Sequence, residues 1–533
     1  MKAFLLHRDR DFDLKRAPPA NENDLSRDLE LDTLLLAMAG KDELILNVAK
    51  AALMAATSND VATIRYRQAV LKDCLANPDV VRQLYSLTDE AFQRLKKIWS
   101  RFREYPTSLL EDSIARMRIF VDVLRKMRTL ADRHSADFRS EGFSNLFAML
   151  ARELDDDYFA LVERQLNRLN FRDGVLVSVG LGRGLRGHDY TLRRPLEPEG
   201  NWFSRALKRI YEWAISQGLF LRRRPDAYTI YLAPRDEAGA RAFAELRDRG
   251  VAIAADALAK SVEHIDSFFH MLQMELAFYV GCLNLHERLL VLHVPFTFPS
   301  MTEGDLVTFS STDLYDICLA LSMNKRPVGN EIAADGKTLI IVTGANQGGK
   351  TTFLRSFGLA QLMSQCGMFA PAASLTLNVV DGLFTHFKRE EDATMKSGKF
   401  DEELSRMDAI VNTLTPHALI LFNESFAATN EREGSEIARQ IVSALLERPH
   451  KVVFVSHQYA FTHGYYERRL PAALFLRADR QPDGRRTFKL VEGEPLSTSF
   501  GEDVYREVFG RGHGTPASAG LSIEARPGGV AAF

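Results

Sequence analysis

The stretch TLIIVTGANQGGKTTFLRS, Thr338 to Ser356, limits the fold more than any other part of this 533-residue chain. An apolar run, LIIVT, leads into GANQGGKT (Gly344 to Thr351), and TTFLRSFGLAQLM continues with helical period. Strand, glycine turn and helix in that order form the phosphate-loop pattern. Glycines let the backbone curl so that successive N–H groups and the helix N-terminus face an anion. Lys350 is placed to neutralise the β and γ oxygens of a nucleotide, and Thr351 to offer its hydroxyl to Mg2+. A glycine turn that merely precedes a lysine would lack the flanking strand and helix. The expected ligands are therefore ATP and Mg2+, held by Gly344, Ala345, Asn346, Gln347, Gly348, Gly349, Lys350, Thr351 and Thr352.

A second apolar strand, ALILFNES, ends in Asn423 and Glu424. Phosphate-loop enzymes of this layout place a magnesium-orienting Asp at the end of such a strand, often followed by a Glu that polarises the attacking water. Glu424 stands where that Glu belongs. Asn423 can still accept a hydrogen bond from a magnesium-bound water, but it brings no charge, so weaker metal binding or slower turnover is expected. A third strand, VVFVSHQ, ends in His457, which is placed either to sense a γ-phosphate or simply to cap and pack. In KSGKFDEELSRM, Ser397 and Gly398 precede an acidic helix start, a turn that can hold an anion or act only as a cap.

These strands belong to a C-terminal α/β region with a largely parallel sheet. Before it, from about residue 29 to 171, apolar residues repeat at three and four with few turn signals, which predicts a helical half. A small strand-containing insertion is expected near residues 174–234, and a helix of more than 30 residues from Ala257 to Leu290, long enough to act as a strut. The expected domains are a helical core/lever domain (1–290), an α/β ATPase domain (291–510) and a disordered tail (511–533) rich in Gly, Ala and Pro. Lys plus Arg (68) balance Asp plus Glu (70), so any nucleic acid must be met by a local patch. The four cysteines are scattered without paired spacing, and no apolar stretch approaches a membrane span. A cytoplasmic protein with no membrane partner is expected.

Taken in order, TGANQGGKTTFLR, FAPA, DEELSRM, LILFNESFAATNEREGSEIA and FVSHQY resemble the ATPase domain of the MutS family of DNA mismatch-repair proteins, within the ABC-type ATPases. Upstream, IRYRQAVLKDCL and MELAFYVGCLNL are similar to that family's helical core and lever helix. The resemblance implies that Asn346, Gly349, Lys350 and Thr351 form the nucleotide loop. Glu424 and His457 would act with Asn346 in hydrolysis, and Asn423 and Thr351 would serve Mg2+. It also implies that Ser397 reaches the γ-phosphate of the other subunit of a homodimer, although its spacing to Phe400 departs from the familiar pattern. Asn330 and Val328 fall beside the adenine, with Val328 where an aromatic residue often stacks. The chain resembles a short bacterial MutS-like protein that starts at the helical core, without mismatch-reading and connector domains. In such proteins Asn-Glu-Ser is a usual form of the second motif.

Between Arg183 and Arg224 ten basic residues (Arg183, Arg186, Arg193, Arg194, Arg205, Lys208, Arg209, Arg222, Arg223 and Arg224) face four acidic ones. Such an excess suits contact with DNA phosphates, or else a solvated surface paired with neighbouring carboxylates. Two readings follow. One is an ATP-dependent homodimeric clamp that binds double-stranded or branched DNA by shape, related to mismatch repair or recombination and meeting a protein partner of that pathway. The other is a nucleotide-gated protein-interaction switch that does not bind DNA.

Overall fold

A computed structural model describes residues 1–98, 105–170, 177–181, 187–192, 237–303, 307–389, 398–498 and 500. The chain opens with α1 (Glu22–Asp28), α2 (Leu31–Ala39), α3 (Glu43–Met54), α4 (Val61–Ala76), α5 (Pro78–Lys96), α6 (Pro106–His134), α7 (Glu141–Glu153) and α8 (Asp156–Leu169). Their start signals are local. Asp42, Ser140 and Asp155 accept hydrogen bonds from first-turn N–H groups of α3, α7 and α8. Pro78 and Pro106 open α5 and α6, where a missing N–H costs nothing. The helical texture of this part of the sequence is what the chain forms.

Two antiparallel strands follow, β1 (Val177–Leu181) and β2 (Gly187–Leu192). The rest of 174–234, including every basic residue named between Arg183 and Arg224, lies outside the described residues. Next comes α9 (Glu237–Val291), a single helix of 55 residues and about 80 Å long at 1.5 Å per residue. It begins 20 residues before the start that periodicity suggests at Ala257. Gly239 and Gly250 conceal that first part, since each glycine disfavours helix by about 1 kcal/mol relative to alanine.

The remaining elements are β3 (Ser300–Thr302), β4 (Phe309–Leu314), α10 (Ile317–Met323), β5 (Asn330–Ala333), β6 (Leu339–Gly344), α11 (Lys350–Gln365), β7 (Ser374–Asn378), β8 (Gly382–Phe387), α12 (Lys399–Thr413), β9 (Ala418–Asn423), α13 (Glu431–Leu446), β10 (Lys451–Val455), α14 (Tyr459–Glu467), β11 (Ala473–Arg480) and β12 (Arg486–Glu492). Six strands form a sheet in the order β12-β11-β6-β10-β9-β8. All neighbours are parallel except β12, which returns antiparallel to β11. Helices cover both faces. On one, α12, α13 and α14 bring Met407, Val442 and Phe461 against Ile420, Phe422 and Phe454. On the other lies α11, so close that a Cβ on Gly358 would stand 2.7 Å from Leu421 Cδ1. Double burial is why β6, β9 and β10 read as unbroken apolar runs. The second sheet, β3-β7-β4-β5, has no such signal, because FSSTDL and NEIA are short and largely polar.

Packing divides the chain into two compact units, Met1–Leu14 with Ala69–Leu283, and Lys15–Gln68 with the chain from Asn284 onward. In the first, the buried Glu275 carboxylate on α9 accepts the Leu5 N–H at 2.5 Å, and Tyr279 donates to Leu5 O at 2.7 Å. In the second, Asn21 donates to Leu383 O at 2.7 Å and Asn59 to Gln365 O at 2.9 Å. Gly367, at φ +84°, admits Arg67 so closely that a Cβ would lie 2.4 Å from Arg67 Cβ. All four cysteines are buried, and none of them is in a disulfide. Among the described residues no helix is long and apolar enough to cross a membrane.

Candidate functional site

The glycine loop is shaped by its packing against β11. Gly344 ends β6 at φ +106°, where a Cβ would come within 2.8 Å of Ala478 N. Gly348 is as tight, its Cβ position lying 2.7 Å from Ala478 Cβ. Gln347 and Gly349 are also left-handed, at φ +59° and +89°, and the chain then enters α11 at Lys350. A helix begun in this way presents N–H groups without intrahelical partners, together with the positive end of its dipole. Lys350 is buried and folded back, donating to Gly344 O at 3.1 Å and Ala345 O at 2.9 Å. Burial draws its pKa down to about 8; Glu424 opposes the shift and Arg486 adds to it.

The sheet order puts β9 and β10 beside β6, so their carboxyl ends open towards the same place. At the end of β9, Asn423 accepts a hydrogen bond from the Thr351 hydroxyl, 3.1 Å from its Oδ1. Glu424 takes a left-handed conformation, φ +54°, held by its N–H to Val455 O at 2.9 Å. Its carboxylate lies 2.8 Å from His457 Nε2. That hydrogen bond keeps the Glu424 pKa below the ordinary carboxylate range despite partial burial, and Lys350 and Lys388 add to the effect. The group is therefore an anion at neutral pH, aimed by a histidine.

A cleft of about 490 Å³ opens over the loop, lined by Asn346 through Thr352, Glu424, Val328 and Asn330. The Asn330 amide is engaged by β12: it donates to Phe488 O at 3.3 Å and accepts from Leu490 N at 2.7 Å. It thereby holds Phe488, a residue that the sequence reading missed. Phe488 lines the cleft half-exposed, at φ +60°, with its Cβ 3.7 Å from the Cβ position of Gly349. Arg486 on the same strand was also missed; its Nε donates to Asn346 O at 3.1 Å. Nothing local in RRTFKLVE marks either residue, since their position depends on an edge strand returning beside the loop.

The structure thus brings together the loop residues Gly344 to Thr352 with Asn423, Glu424, His457, Val328 and Asn330. Ser397 and the basic residues between Arg183 and Arg224 lie outside the described residues. Among the described residues no cluster of three or more His, Cys, Asp or Glu is arranged to hold a metal on its own.

A glycine loop between a buried strand and a helix, with Asn423 and Glu424 delivered beside it by a parallel strand, defines an α/β protein with an anion cradle at the carboxyl ends of its strands. Comparison with known proteins places it further. The chain matches the family models of the MutS2 N-terminal domain over residues 59–292 and of MutS domain V over residues 340–509. It is similar to the DNA mismatch repair protein MutS of Chloroflexus aurantiacus, with 32% identity over 167 residues, 30% of this chain and 17% of that protein. The MutS proteins of Porphyromonas gingivalis (33% over 178 residues, 32% of this chain and 20% of that one) and Thermotoga neapolitana (31% over 196 residues, 37% and 23%) are similar to the same degree. The chain belongs to the MutS family. These alignments cover 17 to 23% of the length of the relatives.

Proposed function

We propose that this chain is an ATP-dependent DNA-binding protein of the MutS type, which hydrolyses ATP slowly at composite sites of a homodimer and clamps DNA by shape or branch structure. The convergence of Lys350, Thr351, Asn423, Glu424 and His457 in one place carries the reading. In it, Lys350 exchanges its two carbonyl partners for the β and γ oxygens of ATP, while the loop N–H groups take the remaining phosphate oxygens. Phe488 and Val328 offer apolar surface to the base. Glu424, ionised and oriented by His457, accepts a proton from the attacking water.

The donor set suits Mg2+. Thr351 Oγ1 and Asn423 Oδ1 are hard, neutral oxygens 3.1 Å apart, and Mg2+ keeps several waters and draws its other ligands from substrate phosphates. When bound, the ion neutralises charge developing on the phosphate oxygens. Because Asn423 adds no charge, this site holds the ion less tightly than a carboxylate would.

The proposed domains are a helical core/lever (1–290), an ABC-type phosphate-loop ATPase (291–510) and a tail (511–533). Ser397 acts in trans on the partner's nucleotide, the basic residues from Arg183 to Arg224 meet DNA, and a repair or recombination protein is the further partner. Titration with a fluorescent ATP analogue tests the nucleotide site. The wild type binds it with Mg2+, and Lys350→Ala weakens binding by at least about tenfold, since a charge in direct contact with phosphate is lost. Equal binding by both overturns the reading.

A further inference from the structure

The turn that carries Glu424 is strained and is held from behind by groups outside the nucleotide cleft. Glu424 and Phe426 are both left-handed, at φ +54° and +60°, a conformation that persists in bulky residues only where surroundings enforce it. Two grips are visible. Gln458, next to His457, donates to Phe426 O at 2.9 Å. From β8, His386 stacks on Phe426, with ring centroids 5.2 Å apart and 21° between planes, and its Nδ1 lies 2.7 Å from Ser425 Oγ.

His386 also ties the turn to α12. Its Nε2 lies 2.9 Å from the Glu403 backbone oxygen. A carbonyl only accepts, so Nε2 carries the proton. The ring is fully buried, and burial with the nearby Arg406 holds its pKa down to about 4, so it is neutral and Nδ1 accepts. The Ser425 hydroxyl then supplies its single proton both to Nδ1 and to His386 O, 2.5 Å away. The chain Glu403 O to His386 to Ser425 thus runs from α12 to the residue beside Glu424, entirely inside the protein. Its α12 end begins at Gly398, adjoining Ser397.

We propose that His386 is a positioning residue that fixes the Glu424 turn to the backbone of α12, so that the seating of α12 governs how well Glu424 addresses its water. This rests on the ATPase reading above. The helix that follows Ser397, the residue proposed to act on the partner's nucleotide, is thereby linked mechanically to the catalytic carboxylate of its own subunit.

The test compares wild type with His386→Phe, which keeps the stacked ring but loses both hydrogen bonds, Ser425→Ala and the double variant His386→Phe/Ser425→Ala. Steady-state ATP hydrolysis, affinity for an ATP analogue, thermal unfolding and hydrogen exchange of residues 423–430 are measured on each. The expected result is a kcat about tenfold lower in His386→Phe with nucleotide affinity within about twofold of wild type, and a double variant no slower than the worse single one, because both changes break one chain. Exchange of 423–430 is expected to rise in each variant. Should His386→Phe not fold, Ser425→Ala decides by the same criteria. An unchanged kcat, affinity falling in parallel with kcat, additive losses or unchanged exchange each overturns the proposal. Absence of hydrolysis by the wild type overturns the ATPase reading instead, and the exchange data still decide whether His386 holds the turn.

Discussion

Lys350 gives its ammonium to Gly344 O and Ala345 O, and burial lowers its pKa to about 8. Phosphates arriving beside it favour the charged form and raise that pKa again. Below about pH 8 the lysine is charged before and after binding, so affinity for Mg·ATP barely depends on its titration. Above about pH 8 binding must take up a proton, and Kd is expected to rise by up to about tenfold per pH unit. A Kd that stays flat between about pH 8 and 9.5 contradicts this role for Lys350. Lys350, Thr351, Asn423, Glu424 and His457 were legible in the sequence because each follows directly on an apolar strand or its glycine turn. Phe488, Arg486 and His386 were not, because an edge strand or a buried contact places them and no short pattern records that.

Among the elements, α13 shows how local preference and packing can oppose each other. Gly434 lies inside this helix, where alanine would ordinarily stabilise by about 1 kcal/mol. Yet a Cβ there would stand 2.2 Å from Phe426 O and 2.6 Å from Gln458 Nε2. Gln458 could swing aside, but the Phe426 carbonyl belongs to the left-handed turn behind Glu424 and cannot. Gly434→Ala is therefore expected to destabilise by about 1–3 kcal/mol in urea unfolding and to slow hydrolysis. Unchanged or increased stability would show that the turn yields freely. The three central strands were legible because burial on both faces writes them as apolar runs. The second sheet was hidden by short polar strands, and the beginning of α9 by its glycines.

For the molecule as a whole, periodicity identifies helices but not their packing partners. Residues 29–68 read like the rest of the helical half, yet with residues 15–28 they pack with the unit that holds the glycine loop, through pairs such as Asn59 and Gln365 that are distant in sequence. In the proposed function the molecule also binds DNA. If arginine contacts to phosphate supply the affinity, log K falls linearly with log salt, and replacing Arg222, Arg223 and Arg224 by alanine reduces the slope by up to about 3. Matched, mismatched and branched DNA should all weaken together in that variant. A several-fold preference for a mispair that survives the triple change would reveal a base-reading element and contradict recognition by shape alone.

Steady-state phosphate release by wild type and Glu424→Gln, with ATP-analogue affinity measured on both, decides whether Glu424 acts on the water. The variant removes the group proposed to act on the water and leaves the groups proposed to hold the phosphates. Hydrolysis should fall by about a hundredfold or more while nucleotide affinity stays within about threefold of wild type. Equal phosphate release by the two proteins would contradict Glu424 as the hydrolytic carboxylate, and with it the account of this site as an ATPase centre.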